Sequence, residues 1–483
     1  MFRLSGEGVR VRGVVTVDDF RAVGQVVPAR AGSVPLEIAD PAVVIDSRDV
    51  HGGELFIALK GENTDGHRYI GSVFEKGASW AMVSREWYEA QGSAAPPAGK
   101  GFIVTEDTVE GLQKLSRLYR NTFAIPVVAI GGSNGKTTTK EMVASVLETG
   151  FKVQMSRGNR NNHLGVPLTL FQLRHDTGIA VVEMGINHPE EMDLLAAIGQ
   201  PTHALLTNIG HEHLEFLVDL DGVAAAELKL FEDIERRGGT VFVNFDDPRL
   251  KAAGAAVAGS IGYGTGEVCG HICWSREISV ERDGRVSFVL CSGSAAEHVT
   301  LNFTGKHNVI NAVAAAAVGL HFGLSIHQVR EGLERLTPAA GWKRLEVVDC
   351  GGIRILNDTY NANSDSMRLA IDALCDIRSS GKRIAVLGDM LELGAAADGE
   401  HATIGRYIQQ SSVDILLSYG EKAGLICSEA PGCCRGHFES QEKLLEALLE
   451  VVEEGDAVLF KGSRGMRLET VVEALVNART KTM

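Results

Sequence analysis

The sequence contains no run of apolar residues long enough to cross a membrane, although 45% of its 483 residues are hydrophobic. A membrane-spanning helix needs about 20 consecutive apolar residues. The first residues, Met1 to Glu7, also lack the apolar core that a secretion signal requires. We therefore expect a cytoplasmic protein with no segment inserted in a membrane.

Closely spaced cysteine pairs are also missing. The chain has eight cysteines and no Cys-x-x-Cys pair, and two adjacent cysteines near the C-terminus suit no ordinary zinc site. Scattered cysteines in a cytoplasmic protein are normally reduced. We therefore expect structural thiols at all eight positions, which are Cys269, Cys273, Cys291, Cys350, Cys375, Cys427, Cys433 and Cys434.

Positive charge is scarce relative to negative charge, with 47 Lys and Arg against 62 Asp and Glu and a net charge of −15. A nucleic-acid-binding domain normally carries a basic surface, so nucleic acid is not the expected partner. A negative protein also does not attract anionic small molecules over long range. Any phosphates must therefore be held by local groups and by a metal ion.

The chain is too long for one hydrophobic core, since cores stop growing at about 250–300 residues. Short apolar runs between glycine turns predict a small α/β domain over residues 1–105. Alternating strands and helices predict a parallel sheet covered by helices over residues 106–336, and a new α/β alternation fills residues 337–483.

Seven short apolar runs are predicted strands of the second and third domains: Val127–Ile130, Ile179–Glu183, Ala204–Asn208, Thr240–Asn244, Arg383–Leu387, Asp414–Ser418 and Ala457–Phe460. The pattern changes between residues 272 and 303, where an Asp283-Gly284 turn separates two β-rich runs. Asp-Gly between such runs favours a hairpin, so we expect an antiparallel annex to the second domain.

The most informative segment runs from Pro126 to Met142. An apolar run is followed by a glycine turn and then by Lys136 and Thr137, which open a helical pattern. A strand, a glycine loop and a helix N-terminus together form a phosphate cradle, in which backbone N–H groups and the helix dipole face the anion. In such a cradle Lys136 reaches the terminal phosphates and the Thr137 hydroxyl ligates Mg²⁺.

This cradle is a short form of the eight-residue phosphate-binding pattern, because Ile130 stands where that pattern has its first glycine. The alternative is an ordinary turn beside a lysine. The flanking strand and helix favour the cradle, so we expect ATP to contact seven consecutive residues, Gly132, Ser133, Asn134, Gly135, Lys136, Thr137 and Thr138.

Two further strands of the second domain end in ionisable side chains: one in Glu183, the other in a cluster that includes His213. Ligands bind at the carboxyl ends of strands in open α/β sheets, and an acid on a neighbouring strand commonly holds Mg²⁺. Glu183 is therefore a candidate metal ligand, with a helix cap or ion pair as the alternative. From the residues alone, His213 remains open between a ligand and a hydrogen-bonding surface histidine.

Asn308 and Asn311 lie three residues apart at the start of an Ala-rich helix, so they share one face of its first turn. Two carboxamides at this spacing can pair with an adenine edge as donor and acceptor. The alternative is helix capping, for which one asparagine is sufficient.

Eight segments spread over nearly the whole chain resemble the Mur ligase family. In chain order they are Asp46–Arg48, Phe56–Gly61, Thr64–His67, Gly158–Pro167, Glu183–Pro189, Asn357–Asn363, Leu387–Gly394 and Lys461–Met466. The first three resemble the UDP-binding N-terminal domain of the family, the next two its central domain, and the last three its C-terminal domain. The last three are most similar to members that add D-alanyl-D-alanine to UDP-N-acetylmuramoyl-tripeptide.

The resemblance implies a three-domain α/β architecture. Residues 1–105 would form a small UDP-binding domain, residues 106–336 a central P-loop domain that binds ATP on a parallel sheet, and residues 337–483 a Rossmann-like domain. That last domain would close on the nucleotide and the dipeptide, so that binding and catalysis involve a large rigid-body motion.

The resemblance also implies residue roles. Lys136 and Thr137 would hold the γ-phosphate and one Mg²⁺, with Glu183 and His213 completing the metal sites. The nucleotide would further contact Asn308, Asn311, Arg344 and Asp358. Contacts to the other substrates are implied for Ser47, Arg48, Lys60, Asn162, Tyr360, Asn361 and Asn363.

The implied activity is an ATP-dependent ligation in peptidoglycan synthesis. ATP would phosphorylate the terminal carboxylate of the UDP-linked tripeptide, and the amine of D-alanyl-D-alanine would attack the acyl phosphate. Lys136 and Mg²⁺ would neutralise charge on the transferred group, while enclosure excludes water. The expected partners are these small molecules, with no nucleic acid, and the enzyme is expected to be a monomer.

One position departs from the family pattern. Mur ligases usually carry a lysine in the helix after the His213 segment, and its amine takes up CO₂ to form a carbamate near the second metal. That position here is Glu227, and Lys229 cannot replace it because two residues rotate a helical side chain by about 200°. We predict that Glu227 supplies a permanent, catalytic carboxylate that acts through a water or a shifted metal. The alternative is a solvated helix acid.

Two other functions remain open from the sequence. One is a different amide-forming member of the family, either a ligase that adds meso-diaminopimelate or a ligase that adds glutamates to folate. The C-terminal segments disfavour both. The other is a nucleotide-dependent regulatory module without catalysis, which the intact set of Lys136, Thr137, Glu183 and His213 disfavours.

Overall fold

The computed structural model describes residues 12–29, 34–268, 270–339 and 341–480. Cys269 lies outside these residues, so the expectation of a free thiol there is not addressed. In the described part of the chain, no helix combines the length and the apolar character that a membrane span requires.

The first part of the chain carries a two-stranded and a five-stranded sheet. Its elements are β1 (Val14–Thr16), α1 (Val17–Val23), β2 (Gln25–Pro28), β3 (Glu37–Ala39), β4 (Val43–Val44), β5 (Leu55–Ile57), α2 (Ile70–Glu75), β6 (Trp80–Ser84), α3 (Arg85–Ala90) and β7 (Gly101–Thr105). β1 pairs with β3, and the larger sheet has the order β2-β7-β6-β5-β4. Alternate residues of β6 enter different apolar clusters, with Trp80 and Met82 in one and Ala81 and Val83 in the other. The sheet is therefore covered on both faces, which explains its uniformly apolar strands.

The middle part begins with a long helix and contains nine strands. Its elements are α4 (Thr108–Arg120), β8 (Val127–Gly131), α5 (Lys136–Leu147), β9 (Val153–Met155), α6 (Gly165–Leu170), β10 (Ile179–Glu183), α7 (Glu191–Gly199), β11 (His203–Leu206), α8 (Leu214–Leu217), α9 (Leu220–Arg236), β12 (Thr240–Asn244), α10 (Pro248–Gly254), β13 (Ile261–Thr265), β14 (His271–Val280), β15 (Arg285–Ser292), β16 (Ala295–Thr304), α11 (Asn308–His321) and α12 (Ile326–Arg335).

These nine strands form one sheet in the order β16-β15-β14-β13-β12-β11-β8-β10-β9. The strands from β9 to β14 are parallel, and β14, β15 and β16 are antiparallel. The predicted antiparallel hairpin around Asp283-Gly284 is present, and its strands extend the main sheet at one edge. Helices α5 and α11 pack on the face that carries Val128 and Ile130, while Val127 and Ala129 face the opposite core.

The last part of the chain forms a six-stranded sheet. Its elements are β17 (Glu346–Cys350), β18 (Ile353–Asp358), α13 (Ser364–Asp376), β19 (Arg383–Gly388), α14 (Ala397–Gln409), β20 (Ile415–Tyr419), α15 (Gly424–Glu429), β21 (Cys434–Phe438), α16 (Gln441–Val451), β22 (Ala457–Lys461) and α17 (Glu469–Thr480). The order is β17-β18-β22-β19-β20-β21, and only β17 is antiparallel to its neighbour. Helices on both faces of a parallel sheet give the Rossmann-like arrangement that the resemblance implies.

We propose that the domains divide after residues 105 and 336, as the sequence predicts, because each large sheet lies wholly between these positions. Helix α4 packs against α1 and β6 on one side and against α6 and α7 on the other. It therefore joins the first two domains.

The expectation of reduced thiols is wrong for one pair, because Cys427 and Cys434 form a disulfide. Helix α15 turns back into β21 and brings the two Cα atoms to 5.3 Å, a separation at which the two sulfurs can bond. Among the described residues, the remaining cysteines are free: Cys273, Cys291, Cys350, Cys375 and Cys433.

Candidate active site

The glycine loop between β8 and α5 can be formed only by glycine at two positions. Gly132 has φ 102° and Gly135 has φ 84°, values that residues with a side chain rarely adopt. A Cβ on Gly132 would lie 2.4 Å from Thr207 Oγ1, and one on Gly135 would lie 2.8 Å from Asn311 Oδ1. The loop therefore packs closely against the residue that follows β11 on one side and against α11 on the other.

Hydrogen bonds to the end of β11 hold this loop in place. The Ser133 N–H donates to Asn208 O at 2.9 Å and the Asn134 N–H donates to Asn208 Oδ1 at 3.1 Å. Asn208 Nδ2 donates in return to Asn134 O at 2.9 Å. The loop is thus preorganised by its neighbouring strand, as anion-binding loops at helix N-termini usually are.

The side chain of Lys136 folds back over the loop. Its Nζ donates to Gly132 O at 2.5 Å, to Ser133 O at 3.1 Å and to Glu212 Oε2 at 3.2 Å. Burial by itself lowers the pKa of Lys136, but the carboxylates of Glu212, Glu227 and Glu183 raise it above its usual value. The ammonium group is therefore charged and compensated before any phosphate arrives.

Glu183 lies at the end of β10, directly beside the first turn of α5. Its Oε1 accepts hydrogen bonds from Thr137 Oγ1 at 3.2 Å and from Asn161 Nδ2 at 2.9 Å. Its buried Oε2 has no hydrogen bond and lies 3.7 Å from Lys140 Nζ. Glu183 is therefore not a helix cap; it forms an ion pair with Lys140 through Oε2, and this oxygen accepts no hydrogen bond.

Glu227 on α9 is fully buried beneath the glycine loop, with 0% exposure. Its Oε2 accepts a hydrogen bond from the Gly132 N–H at 2.9 Å, and its Oε1 has no hydrogen bond. Burial raises the pKa of Glu227 to about 7, against the attraction of Lys136. The alternative of a solvated helix acid is therefore wrong, because this carboxyl supports the loop from below.

The wild type is expected to lose stability as the pH rises toward 7, and Glu227→Gln is expected to abolish this loss. The pKa in the folded protein, about 7, exceeds the ordinary value of 4.5, so the folded protein binds more protons between these pH values. Stability of the wild type therefore falls as pH rises through this range. Scanning calorimetry from pH 5 to 7.5 should show a larger fall in thermal midpoint for the wild type than for Glu227→Gln. Glu232 is an exposed acid on the same helix, so the thermal midpoint of Glu232→Gln should fall with pH as that of the wild type does. An equal fall of the thermal midpoint in all three proteins would contradict the raised pKa of Glu227.

Arg344 reaches into the loop region from the start of the last domain. Its Nη2 donates to Thr137 Oγ1 at 3.0 Å, and its guanidinium lies 3.8 Å from the ring centre of Tyr360. The flanking Lys343 and Leu345 both have positive φ, 53° and 49°, so the backbone on either side is bent to present this arginine. The stacked, planar guanidinium is a suitable partner for phosphate oxygens.

Asp358 ends β18 and is bound to a lysine of the same domain. Its Oδ2 lies 2.6 Å from Lys461 Nζ, and its Oδ1 accepts from the Leu345 N–H at 3.3 Å. Lys461 Nζ also donates to Asn361 O at 3.0 Å. Asp358 therefore holds the backbone just after Arg344 directly, and Lys461 connects it to the loop that contains Asn361.

Asn308 and Asn311 are both buried at the start of α11. Asn311 Nδ2 donates to Asn308 Oδ1 at 3.1 Å, and Asn308 Nδ2 donates to Thr304 O at 2.8 Å. One amide donor of Asn308 is therefore used within the protein. The adenine contact remains a prediction for the polar groups that are not used, and Asn311 is the better placed of the two because it adjoins Gly135.

The central and last domains enclose a common cavity of about 400 Å³. The predicted residues that line it are Ser133, Asn134, Gly135, Lys136, Thr137, Thr138, Asn162, Glu183, His213, Asn308, Asn311, Arg344, Asp358, Tyr360, Asn361 and Asn363. Asn363 Nδ2 donates to Asn134 Oδ1 at 3.0 Å across the domain boundary. The structure therefore brings the two halves of the predicted nucleotide site together.

Five predicted residues lie elsewhere among the described residues. Gly132 and Glu227 are beneath the loop, and the N-terminal Ser47, Arg48 and Lys60 do not border the cavity. Arg48 is exposed and bound to Asp46 Oδ2 at 2.5 Å, while Ser47 O accepts from Lys76 Nζ at 2.6 Å. Ser47 and Arg48 therefore lie just after β4, whereas Lys60 follows β5 and forms an isolated bridge with Asp65.

Sequence reasoning overlooked four residues that the structure brings into the site: Lys140, Glu212, Glu392 and Lys461. Glu392 and Lys461 lie in segments that resemble the family, but no local pattern singles out these two or Glu212, because their partners are distant in sequence. Lys140 offers one signal, because a fully buried lysine on the first two turns of the phosphate-loop helix needs carboxylate or carbonyl partners.

Three family models match the chain in succession. They describe the Mur ligase family, catalytic domain, at residues 42–120, the Mur ligase middle domain at residues 130–319, and the Mur ligase, glutamate ligase domain, at residues 343–464. Together they match most strands of each of the three larger sheets.

Relatives and solved structures agree with these matches. The UDP-N-acetylmuramoyl-tripeptide–D-alanyl-D-alanine ligase of Bacillus subtilis is 34% identical over 90% of this chain and 93% of its own length. The Escherichia coli enzyme of the same name is 31% identical over 91% and 94%. A crystal structure of MurF from Acinetobacter baumannii matches 96% of this chain and 99% of its own, with 30% identity and a TM-score of 0.83. MurF ligase from Thermotoga maritima in complex with ADP matches 92% and 99%, with 26% identity and a TM-score of 0.80.

Proposed function

The chain belongs to the Mur ligase family, and from this premise we propose that it joins D-alanyl-D-alanine to UDP-N-acetylmuramoyl-tripeptide at the expense of ATP. The observation that carries this function is the shared cavity, in which the glycine loop, Glu183 and Arg344 face one another. The similar ligases, one of them bound to ADP, support the same reaction. The protein is thus an ATP-dependent, amide-bond-forming ligase of peptidoglycan synthesis.

Magnesium is the metal that this reaction requires, and the side chains on β10 and α5 are suited to it. Glu183 Oε2 is buried without a hydrogen bond, and the Thr137 hydroxyl lies beside the same carboxylate. No cluster of three or more His, Cys, Asp or Glu side chains able to hold a metal occurs among the described residues, so phosphate oxygens and waters must supply further ligands, as is usual for Mg²⁺. We assign Thr137, Glu183 and His213 to this role. When bound, Mg²⁺ offsets negative charge on the phosphates.

The side chains around the cavity suit the activation of a carboxylate by phosphoryl transfer. Lys136 is charged, lies directly over the loop and is positioned to stabilise the transferred group. Arg344 adds a second cation from the C-terminal domain. The terminal carboxylate of the tripeptide becomes an acyl phosphate, the dipeptide amine attacks its carbonyl carbon, and phosphate leaves from the tetrahedral intermediate.

Enclosure between two domains serves this chemistry by excluding water from the acyl phosphate. The cavity is bounded on one side by the glycine loop and on the other by the segment that holds Tyr360, Asn361 and Asn363. We assign these three residues, together with Asn162, to the peptide substrates. We assign Asn308, Asn311, Arg344 and Asp358 to the nucleotide.

The N-terminal surface is proposed to bind the UDP group through Ser47, Arg48 and Lys60. Arg48→Ala is expected to raise the apparent KM for the UDP substrate by about 10- to 100-fold, since a hydrogen bond to a charged group contributes about 1.5–3 kcal/mol. The kcat should remain within about twofold, because the interaction is equal in the ground and transition states.

Arg85→Ala is the matched control for this prediction. Arg85 is another arginine of the N-terminal domain, and it is paired with Glu106 as Arg48 is paired with Asp46. Steady-state kinetics of Arg85→Ala should match the wild type. A defect of Arg48→Ala confined to kcat would contradict the assignment of the UDP site.

The proposed function is tested by incubating the protein with ATP, Mg²⁺, UDP-N-acetylmuramoyl-tripeptide and D-alanyl-D-alanine, followed by mass analysis of products. We expect the UDP-pentapeptide with one ADP and one phosphate per bond, and no continuous ADP formation when either peptide substrate is omitted. A product from a single amino acid would favour a different ligase, and nucleotide binding without any amide product would favour a regulatory module.

We also propose a cytoplasmic, monomeric enzyme. Both halves of the cavity come from one chain, so the site needs no second subunit. Sedimentation of the purified protein should give the mass of one chain, 51.7 kDa.

A further inference from the structure

Two carboxylates of the C-terminal domain contact two histidines of the central domain, His211 and His213, which are two residues apart. Asp365 Oδ2 accepts from the His211 N–H at 2.8 Å and lies 3.1 Å from its Nδ1. Glu392 Oε2 lies 2.6 Å from His213 Nδ1. Since a carboxylate only accepts, each of these imidazoles donates from Nδ1.

The contact between Glu392 and His213 is supported by close packing of the backbones beside it. The Glu215 N–H donates to Glu392 O at 3.2 Å. Gly394 has φ 50°, and a Cβ added to it would lie 3.0 Å from Glu215 Cα. The segment that carries Glu392 is therefore seated directly on the start of α8.

Both residues of this pair have left-handed backbones, with φ 50° at His213 and φ 62° at Glu392. Such a conformation costs free energy in a residue with a side chain, and it persists where the surroundings impose it. The two backbones are bent so that these two side chains meet across the domain boundary.

The bond at Nδ1 determines the direction of the opposite ring nitrogen. His213 Nε2 lies 3.9 Å from Glu212 Oε2, and the same Oε2 accepts from Lys136 Nζ. The His213 side chain is only 16% exposed and borders the cavity. Nε2 therefore lies on the side of Glu212 and the cavity, and it is the ring nitrogen left to bind a metal ion when Nδ1 carries the proton.

We propose that Glu392 is a positioning residue, which reaches from the C-terminal domain to orient the His213 imidazole toward the phosphate site. This inference rests on the proposed ligase function, because it gives His213 its place in that reaction. The imidazole is correctly oriented only while the C-terminal domain is seated on the central domain. The metal site is therefore complete only when the two domains are in contact. Glu392 couples the domain contact to the metal site without being a metal ligand itself.

The alternative is that Glu392 only helps the two domains adhere. Asp365 provides the matched control, because it makes the equivalent contact to His211 and none to His213. Removing either carboxylate weakens the domain contact, but only removal of Glu392 frees the His213 ring. Glu392→Gln is the conservative variant, since its amide oxygen still accepts from Nδ1.

The experiment compares full-length wild type, Glu392→Ala, Glu392→Gln and Asp365→Ala. Binding of Mn²⁺ in the presence of ADP is measured by electron paramagnetic resonance, and the ring ¹⁵N shifts of His213 are measured in ¹⁵N-histidine-labelled protein. Loss of a residue that orients a metal-bound histidine typically weakens metal binding about 10- to 100-fold. We expect that loss for Glu392→Ala, a smaller one for Glu392→Gln, and a change of less than about threefold for Asp365→Ala.

The ¹⁵N spectrum should show a fixed Nδ1–H tautomer of His213 in the wild type and in Asp365→Ala, and averaged tautomers in Glu392→Ala. Equal Mn²⁺ affinities for Glu392→Ala and the wild type, or equal losses for Glu392→Ala and Asp365→Ala, would overturn the proposal. Both measurements are independent of turnover. A wild type without ligase activity would therefore refute the proposed function, while the comparison of variants would still decide the role of Glu392.

Discussion

Replacing Lys136 by alanine is expected to lower kcat by about 10²- to 10³-fold, the usual effect of removing one preorganised group that stabilises transition-state charge. The ammonium is fixed by two loop carbonyls and by Glu212. It therefore needs little reorganisation when a phosphate replaces Glu212 as its partner. Single-turnover measurement of ADP formation is the direct test, because it separates phosphoryl transfer from product release.

Lys136→Met and Glu212→Gln are informative companions to this variant. Lys136→Met keeps the apolar stem and removes only the charge, so it should lose as much activity as Lys136→Ala if charge is the cause. Glu212→Gln should retain more activity than either, because Glu212 holds the lysine only until a phosphate takes its place. Near-normal phosphoryl transfer by Lys136→Ala would refute the role of this residue and the nucleotide site built on it.

Glu227→Ala is expected to lose most of its activity, and bicarbonate should not restore it. The carboxyl is buried against the Gly132 N–H with its second oxygen unpaired. Its removal leaves a buried donor without a partner, which costs about 1–3 kcal/mol, and removes negative charge near Lys136. We expect a loss of about 10- to 100-fold, by analogy with other residues that position a metal site.

The comparison with Glu227→Lys makes this prediction specific. If Glu227 stands where relatives form a carbamate on lysine, the lysine variant should be stimulated by bicarbonate, whereas the wild type and Glu227→Ala should be indifferent to it. Activity assays in CO₂-depleted buffer, with and without added bicarbonate, distinguish these outcomes. Stimulation of the wild type by bicarbonate, or full activity of Glu227→Ala, would contradict the assignment.

Several features could be predicted because their causes are local. Strands β10 and β12 begin and end where the apolar runs do, since consecutive apolar residues mark strands buried on both faces. The phosphate cradle was evident because two glycines, a lysine and a threonine at fixed spacing are needed by one loop and one helix terminus. For the same reason Glu183, at the end of its strand, could be placed beside the loop before any contact was known.

Other features could not be predicted because they depend on which elements become neighbours. Glu227 meets Gly132 across 95 residues, and Glu392 meets His213 across 179. The disulfide between Cys427 and Cys434 could not be predicted either, because its pairing depends on how α15 turns into β21. The sequence by itself determined the sheets, the loop and the chemical groups available. Only the tertiary structure decided which of these groups meet, because sheet order and domain packing arise from the summed burial of distant apolar faces and not from any local pattern.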